Sequence, residues 1–315
     1  MMKTTSNIIE TGVPDVYWGE FTEAKMDELL TIAEQRGFDA ARVFVRDDLN
    51  REDFIFGLGR SNFINQLDID KESVCLDCGC GLGAHTFNMA RDAKEVHSFD
   101  LSSKRLRFVE QRKEAEGQKN IFLYHSNFEH LPFADGMFDV IIMNGVVEWL
   151  GEIKRFEDPR EDQLAVLRKM RRLLKPGGRL YIGIENRYAA AYLRGHDHNG
   201  LRLTNFYPRF LADWMTRWKK GKSYRTYTYG ARGYRKLLRE SGFTERPTFF
   251  ITYPGYNSPQ YLIAHDDDAA VRFFYSSLSS NKGTRGRVVS FLVQFTLGRW
   301  LVRKSVWSYG IVTRA

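Results

Sequence analysis

The stretch Val74-Cys75-Leu76-Asp77-Cys78-Gly79-Cys80-Gly81-Leu82-Gly83 joins an apolar run to a glycine-rich turn. The apolar residues are consecutive rather than alternating. Residues 73–77 therefore read as a strand covered on both faces, as in the middle of a parallel sheet. The alternate glycines let the backbone turn sharply and lie close to a ligand. Open parallel sheets bind ligands beyond the C-terminal ends of their strands, where the strand order reverses, so this turn is the first candidate site.

Strands and helices alternate outward from that turn. Residues 84–91 read as a helix, 95–99 as a strand ending on Asp100, and 102–116 as a charged helix stopped by Gly117. Strands follow at 121–125 and 138–143. The helix over 161–174 is ended by Lys175-Pro176-Gly177-Gly178, and 179–184 form the fifth strand. This alternation predicts an α/β fold: a parallel sheet with helices on both faces. Upstream, residues 22–37 and 52–67 read as amphipathic helices, so residues 1–70 form an N-terminal helical extension ahead of a domain over 71–315. After Glu185 the rhythm breaks. Residues 186–229, rich in Tyr, Trp, Arg and Gly, are too long for a plain connection and read as an insertion shaping part of the site. A helix over 234–241, a strand over 248–253, a loop over 254–270, a helix over 288–300 and a strand over 307–312 complete the pattern.

With 315 residues the chain can bury a full core. No basic segment followed by an apolar run opens it, so no signal peptide is expected. No apolar run approaches about 20 residues, so no membrane-crossing helix is expected. The three cysteines fall between positions 75 and 80 with no distant partner, which excludes a disulfide framework and favours a reducing cytoplasm. The formal charge of +8 is uneven: residues 201–240 carry eleven Lys/Arg against Asp213 and Glu240, and no acid follows Asp268. Such a surface suits an anionic partner, or is a solvated basic face.

By itself the turn is ambiguous. Gly79-x-Gly81-x-x-Ala84 also satisfies the dinucleotide fingerprint, and Asp100 stands where an acid takes ribose hydroxyls. Three features separate the readings. Asp77 precedes the glycines, where a carboxylate opposes a pyrophosphate but suits a cationic amino-acid ligand. Ser126-Asn127-Phe128-Glu129-His130-Leu131-Pro132-Phe133 runs on to Phe138-Asp139-Val140. Leu174-Lys-Pro-Gly-Gly-Arg-Leu180 precedes the fifth strand. Together, over residues 73–186, these resemble the class I S-adenosylmethionine-dependent methyltransferases, in the type 11/12-like branch written D-x-G-C-G-x-G, L-P-F…S-F-D-V and L-K-P-G-G.

The resemblance implies a Rossmann-like, seven-stranded, mostly parallel sheet whose last strand is antiparallel, and S-adenosylmethionine as cofactor. It implies that Asp77, Gly79, Cys80, Gly81 and Gly83 hold the methionine part. Asp100 takes the ribose hydroxyls, Leu101 lies against the adenine, and Asn127 and Phe128 border it, with Asn127 standing where many relatives have Asp. Asn144, Gly145 and Val146 line the sulfonium and the path to the acceptor.

Cys75-x-x-Cys78-x-Cys80 superficially suggests metal ligation, but consecutive strand and turn positions do not converge on one point and no fourth ligand follows, so no metal is expected. His85 opens the first helix after the turn, with capping or packing as its alternative role. A hydroxyl acceptor must lose a proton, and His198, His196 and Glu148 are the candidate catalytic groups. Tyr17 and Trp18, Glu148, Arg187, Tyr188, Arg225 and Tyr229 are the candidate substrate contacts, Tyr17 and Trp18 as aromatic faces beside a sulfonium. No N/D-P-P-Y follows the fourth strand; Asn144-Gly145-Val146-Val147 stands there, which argues against amino methylation of the kind that motif marks. Gly183-Ile-Glu-Asn-Arg-Tyr188, Gly195-His-Asp-His-Asn-Gly200 and Arg225-Thr-Tyr-Thr-Tyr-Gly230 resemble methyltransferases of bacterial surface-polysaccharide gene clusters. That points to O-methylation of a sugar, sugar phosphate or nucleotide, or glycan end, so a small-molecule or glycan acceptor, phosphate-bearing in some cases. The alternatives are an RNA methyltransferase using the basic 201–240 surface, a natural-product methyltransferase, and a non-catalytic S-adenosylmethionine-binding or membrane-surface module using the basic helix near 285–303.

Overall fold

The computed structural model describes residues 7–17, 21–195, 197–278 and 283–315; Trp18 and His196 lie outside the described residues. The chain forms two compact units, one of Met1–Met143 with Leu173–Gly178, the other of Asn144–Arg172 with Arg179–Ala315.

The first unit holds strands β1 (Ile9–Glu10), β2 (Val74–Cys78), β3 (Glu95–Asp100), β4 (Ile121–His125) and β5 (Phe138–Asn144, its last residue opening the second unit). They are ordered β1-β4-β3-β2-β5 and all pair in parallel. β2 lies between β3 on one side and β5 on the other. Its C-terminal end is therefore a topological switch point, where parallel sheets open a ligand crevice. The helices of this unit are α1 (Glu23–Arg36), α2 (Phe38–Asp47), α3 (Glu52–Phe56), α4 (Ala84–Ala90) and α5 (Ser103–Ala115). Met26, Leu29, Leu30 and Ala33 of α1 pack with Ala41, Phe44 and Val45 of α2, Ile55 of α3 and Phe108 of α5 in one buried cluster. The sequence reading passed over α2, although its positions 41, 44 and 45 carry helical spacing. The helix expected over 52–67 is instead α3 followed by a 3-10 stretch, Leu58–Gln66. Gly57 breaks it: its backbone is extended, and a Cβ there would overlap the Asp53 carbonyl.

The second unit holds α6 (Pro159–Leu173), β6 (Leu174–Glu185), α7 (Arg209–Lys220), α8 (Ala231–Glu240), β7 (Thr248–Tyr253), β8 (Tyr261–Ala264), α9 (Asp268–Ser277), α10 (Gly283–Leu292), α11 (Thr296–Ser305) and β9 (Ser308–Arg314); the first unit claims the ends of α6 and β6. Within this unit the strands are ordered β6-β9-β7-β8 with antiparallel pairing, so the last strand runs antiparallel to both its neighbours. Nine strands are described where seven were expected. The additional ones are β1, too short to show a periodicity, and β8, inside the expected 254–270 loop. The single helix expected over 288–300 is two. A Cβ at Gly298 would run into the Leu292 carbonyl, so the chain packs back on itself between α10 and α11. Among the described residues no helix is long and apolar enough to cross a membrane.

Candidate functional site

In the first unit the site is built at the end of β2. Asp77 is buried, and its Oδ2 accepts a hydrogen bond from Thr86 Oγ1 at 2.7 Å. Burial pushes its carboxyl up to about 6, against the opposing influence of the Thr86 hydrogen bond and the Arg60 charge. Gly79, Gly81 and Gly83 all take positive φ, at 69°, 57° and 81°. Their reasons differ. A Cβ at Gly83 would press on Phe87 and Val109 at 3.1 and 3.2 Å, whereas at Gly81 it would meet only Arg105 Nη1 at 3.9 Å. Gly83 serves packing; Gly81 keeps an open face of the turn free for a ligand. Gly79 and Cys80 donate their backbone N–H groups to the Phe99 carbonyl at 2.9 and 3.0 Å. Asp100 locks the turn: Oδ2 accepts from Gly81 N at 2.9 Å and Oδ1 from Ser102 N at 3.0 Å. Each oxygen retains acceptor capacity for a vicinal diol.

Leu101 leaves 40% of its surface exposed, an apolar face beside Asp100. Phe128 packs edge-to-face on Phe99 at 5.0 Å. Asn127 Oδ1 accepts from Glu129 N and His130 N, both at 3.0 Å, and contacts His130 Nδ1 at 2.8 Å. Only its NH2 is left to face a ligand, a donor where an Asp would present an acceptor. The N-terminal segment crosses the same loops, a feature the sequence reading missed. Thr11 N donates to the His125 carbonyl at 3.2 Å and Val16 N to the Leu101 carbonyl at 3.0 Å; Ser103 N and Oγ donate to Asp15 at 2.9 and 2.6 Å. Isolated contacts in an irregular segment leave no periodic trace in sequence. Tyr17 continues the segment, donating its hydroxyl to the Phe21 carbonyl at 3.1 Å and packing on the N-terminal helical core. His85 is buried against Ser61 Oγ at 2.8 Å, in the packing role. The three cysteines are buried, and burial pushes the Cys75 thiol up to about 12 and the other two well above the usual range, so none is a reactive thiolate.

An ionised Asp77 is the form that pairs with a ligand ammonium. Affinity for S-adenosylmethionine is therefore expected to weaken as pH falls through about 6, with Asp77→Asn removing the pH dependence. Calorimetric titration across that range reads it, and an affinity that stays flat in the native protein contradicts it.

In the second unit the chain leaves β5 through Asn144, Gly145 and Val146. Gly145 has φ 70°, donates its N–H to the Gly183 carbonyl at 2.8 Å, and a Cβ there would sit 3.0 Å from the Tyr256 ring. Four residues past Asn144, Glu148 is fully buried in a 3-10 turn, Val147–Ile153. Its Oε1 accepts from Tyr256 OH at 3.4 Å, and its Oε2 has no hydrogen-bond partner. Glu185, the last residue of β6, accepts from Tyr192 OH at 2.8 Å and is hydrogen-bonded to His198 Nε2. The His198 ring packs against Trp149, centroids 4.8 Å apart. Glu148, Glu185 and His198 each bring one ligand-capable atom within 4.8 Å of the others, an arrangement that could hold a cation or share protons. Burial first, then the Glu185 charge, push Glu148 up to about 8. Burial pulls His198 down, but the Glu185 hydrogen bond and charge outweigh it and hold the imidazole above its ordinary value.

The structure thus brings together Glu148 and His198, two of the three candidate catalytic groups, and adds Glu185, Tyr192 and Tyr256. Glu185 was not among the expected site residues, although an acid at the end of the fifth strand was the available signal; Tyr192, seven residues further on, and Tyr256, from a distant loop, gave none. His198 is held by an Asp-capped turn, in which Asp197 Oδ1 accepts from Asn199 N and Leu201 N at 2.8 and 2.9 Å. Arg187, Tyr188 and Tyr229 line one cavity of about 340 Å³; Arg187, Arg225 and Tyr229 also line a second, of about 640 Å³. Arg187 donates to the Asn205 and Tyr207 carbonyls, and Tyr229 OH donates to Gln163 Oε1 at 2.8 Å. Arg225 donates to the Glu157 and Phe156 carbonyls at 3.0 and 2.8 Å and to Asp162 at 2.9 Å, so its guanidinium is committed to shaping the loop.

A parallel sheet with a glycine turn after one strand and a ribose-type acid after the next defines a Rossmann-like fold, and the match to known proteins places it among the class I methyltransferases. The chain carries a methyltransferase domain of the Methyltransf_11 family over residues 76–182. It is similar to the uncharacterized protein YafE of Escherichia coli, 37% identical over 105 residues that cover 33% of this chain and 45% of that one. It is also similar to demethylmenaquinone methyltransferase of Geobacillus kaustophilus, 26% identical over 199 residues, 59% of this chain and 77% of that one. The chain spans about half the length of most curated relatives it matches. Among solved structures, a Haemonchus contortus phosphoethanolamine N-methyltransferase in complex with phosphomonomethylethanolamine and S-adenosylhomocysteine shares the fold, with TM-score 0.50 and 13% identity over 95% of this chain and 61% of that one.

Proposed function

We propose that the chain is an S-adenosylmethionine-dependent methyltransferase acting on a hydroxyl of a polar acceptor: a sugar, a sugar phosphate or nucleotide, or a glycan end. The open face at Gly81, the Asp100 carboxylate and the exposed apolar side of Leu101 fit that cofactor. When bound, it supplies an electrophilic methyl group on a sulfonium leaving group. Asp100 and the glycine turn orient it, and Asp77 balances its ammonium.

The observation that carries the hydroxyl assignment is the buried Glu148–Glu185–His198 group. A neutral hydroxyl must lose its proton as it attacks, and an ordinary carboxylate is a poor base for that. Glu148, raised to about 8, is a far stronger one, and its Oε2 is free to accept. Glu185 and Tyr192 fix the His198 ring beside it. Support for a phosphate-bearing acceptor comes from Arg187 and Arg209 at the larger cavity. Burial and the neighbouring Arg209 charge pull Arg187 below its ordinary value, and both arginines bond carbonyl oxygens, those of Asn205 and Tyr207 for Arg187 and of Thr228 for Arg209, with no carboxylate partner among the described residues.

Incubation with methyl-labelled S-adenosylmethionine and a panel of sugar nucleotides, glycans, RNA and demethylmenaquinone tests the reading. An O-methyl ether on a sugar, located by mass spectrometry, is expected. Label entering only RNA or the quinone ring overturns it. Chelating divalent cations is expected to leave the rate unchanged. Glu185 Oε2 already bonds Tyr192 OH and His198 Nε2, which leaves this buried group short of free ligand atoms for a cation; a rate lost to chelator and restored by Mg²⁺ or Mn²⁺ refutes this.

A further inference from the structure

We propose that the aromatic face of α7 docks on an anionic phospholipid bilayer. This goes beyond the acceptor chemistry and does not depend on it. α7 presents Phe210, Trp214 and Trp218 at 77%, 60% and 71% exposure. Their spacing of four residues places them in one stripe along the helix. The opposite face buries only the small residues Ala212 and Thr216, so the helix lies close against its own unit with its bulky side outward. Exposing a contiguous run of large aromatics to water is costly and marks a contact surface.

Charge names the occupant. Arg217, Lys219, Lys220 and Lys222 are exposed on the helix and just beyond it, while its single acid, Asp213, is already paired with Arg217 at 2.7 Å. Indole rings seated at headgroup depth with lysines reaching anionic headgroups are the chemistry of an interfacial helix. Trp214 and Trp218 lie nearly parallel, 14° apart, each covering part of the other's face, which disfavours their use as platforms for nucleobases. A second exposed apolar surface of this unit, with Phe291, Phe295, Leu297 and Trp300, carries fewer exposed cations among the described residues: Arg287 is exposed, while Arg299 and Arg303 both pair with Asp268.

Flotation of the full chain with vesicles of phosphatidylcholine alone, or mixed with phosphatidylglycerol, tests the proposal. The native chain is expected to float with the mixed vesicles, less so at high salt, and hardly with phosphatidylcholine. The double variant Trp214→Ser/Trp218→Ser is expected to lose about tenfold or more in partitioning, from the apolar burial of two indoles. Both residues are solvent-exposed, so its melting temperature and S-adenosylmethionine affinity are expected to match the native protein. Leu297→Ser/Trp300→Ser is expected to float as the native chain does. No flotation of the native chain at low salt, flotation unaffected by the α7 variant, loss confined to the Leu297/Trp300 variant, or binding to RNA but not to vesicles each overturns the proposal.

Discussion

Replacing Asp100 by alanine is expected to weaken S-adenosylmethionine binding by about two orders of magnitude, as read by calorimetric titration. The carboxylate does two jobs. It accepts from Gly81 N and Ser102 N, fixing the glycine turn against the loop after β3, and it offers its remaining lone pairs to the ribose hydroxyls that the resemblance assigns to it. Charge-assisted hydrogen bonds contribute roughly 1.5–3 kcal/mol each, so losing two to the ligand costs about a hundredfold or more before the loosened turn is counted. Asp100→Asn keeps the shape but is expected to fare little better. Its NH2 must face either the Gly81 or the Ser102 N–H, donor against donor, or turn the wrong polarity to the ribose. An Asp100→Ala protein that binds within about threefold of the native affinity would remove this residue from the site.

The second large effect is expected at Glu148. Glu148→Gln keeps the volume and removes the base, so turnover is expected to fall by about 10²–10⁴ while S-adenosylmethionine affinity stays unchanged. On the proposal that Glu148, Glu185 and His198 act as one group, adding His198→Ala to Glu148→Gln is expected to cost little more than the first substitution alone. In the native protein the rate is expected to rise with pH up to about 8, as the group gives up a proton and becomes a base. Stability moves the other way. The folded chain holds the Glu148 proton more tightly than the unfolded chain does. Stability is therefore full at and below the ordinary carboxylate range and is lost as pH rises through about 8. Glutamine carries no such cost. Glu148→Gln is expected to melt on the order of a few degrees above the native protein at alkaline pH and level with it in mild acid. A variant of native turnover, or one equally slow at every pH yet unable to bind S-adenosylmethionine, would place the base elsewhere.

Asp77, the alternate glycines and Asp100 were legible because each is a local requirement. A buried parallel strand shows as an unbroken apolar run, and a turn that must accept positive φ shows as glycine. Glu148 was legible by its position after the fourth strand, whereas Glu185, at the end of the fifth, was not singled out. Asp15 and Thr11, which tie the N-terminal segment across the β3 and β4 loops, were not, since single long-range hydrogen bonds leave no pattern in sequence. Nor were Tyr192 and Tyr256, which reach the carboxylates from segments separated by more than sixty residues. The α7 stripe shows the converse: its spacing is plain in the sequence, but a core stripe and an exposed one look the same until the fold decides which face is covered.

The sequence by itself determined the parallel sheet, the position of the glycine turn at a strand's end and the acid after the next strand, because hydrophobic run length, glycine φ and the alternation of strand and helix are written locally along the chain. The tertiary structure alone decided which ionisable side chains meet. Only folding removes Glu148 from water and sets Glu185 and His198 against it, and it is that loss of hydration, not the residue type, that raises its carboxyl to about 8.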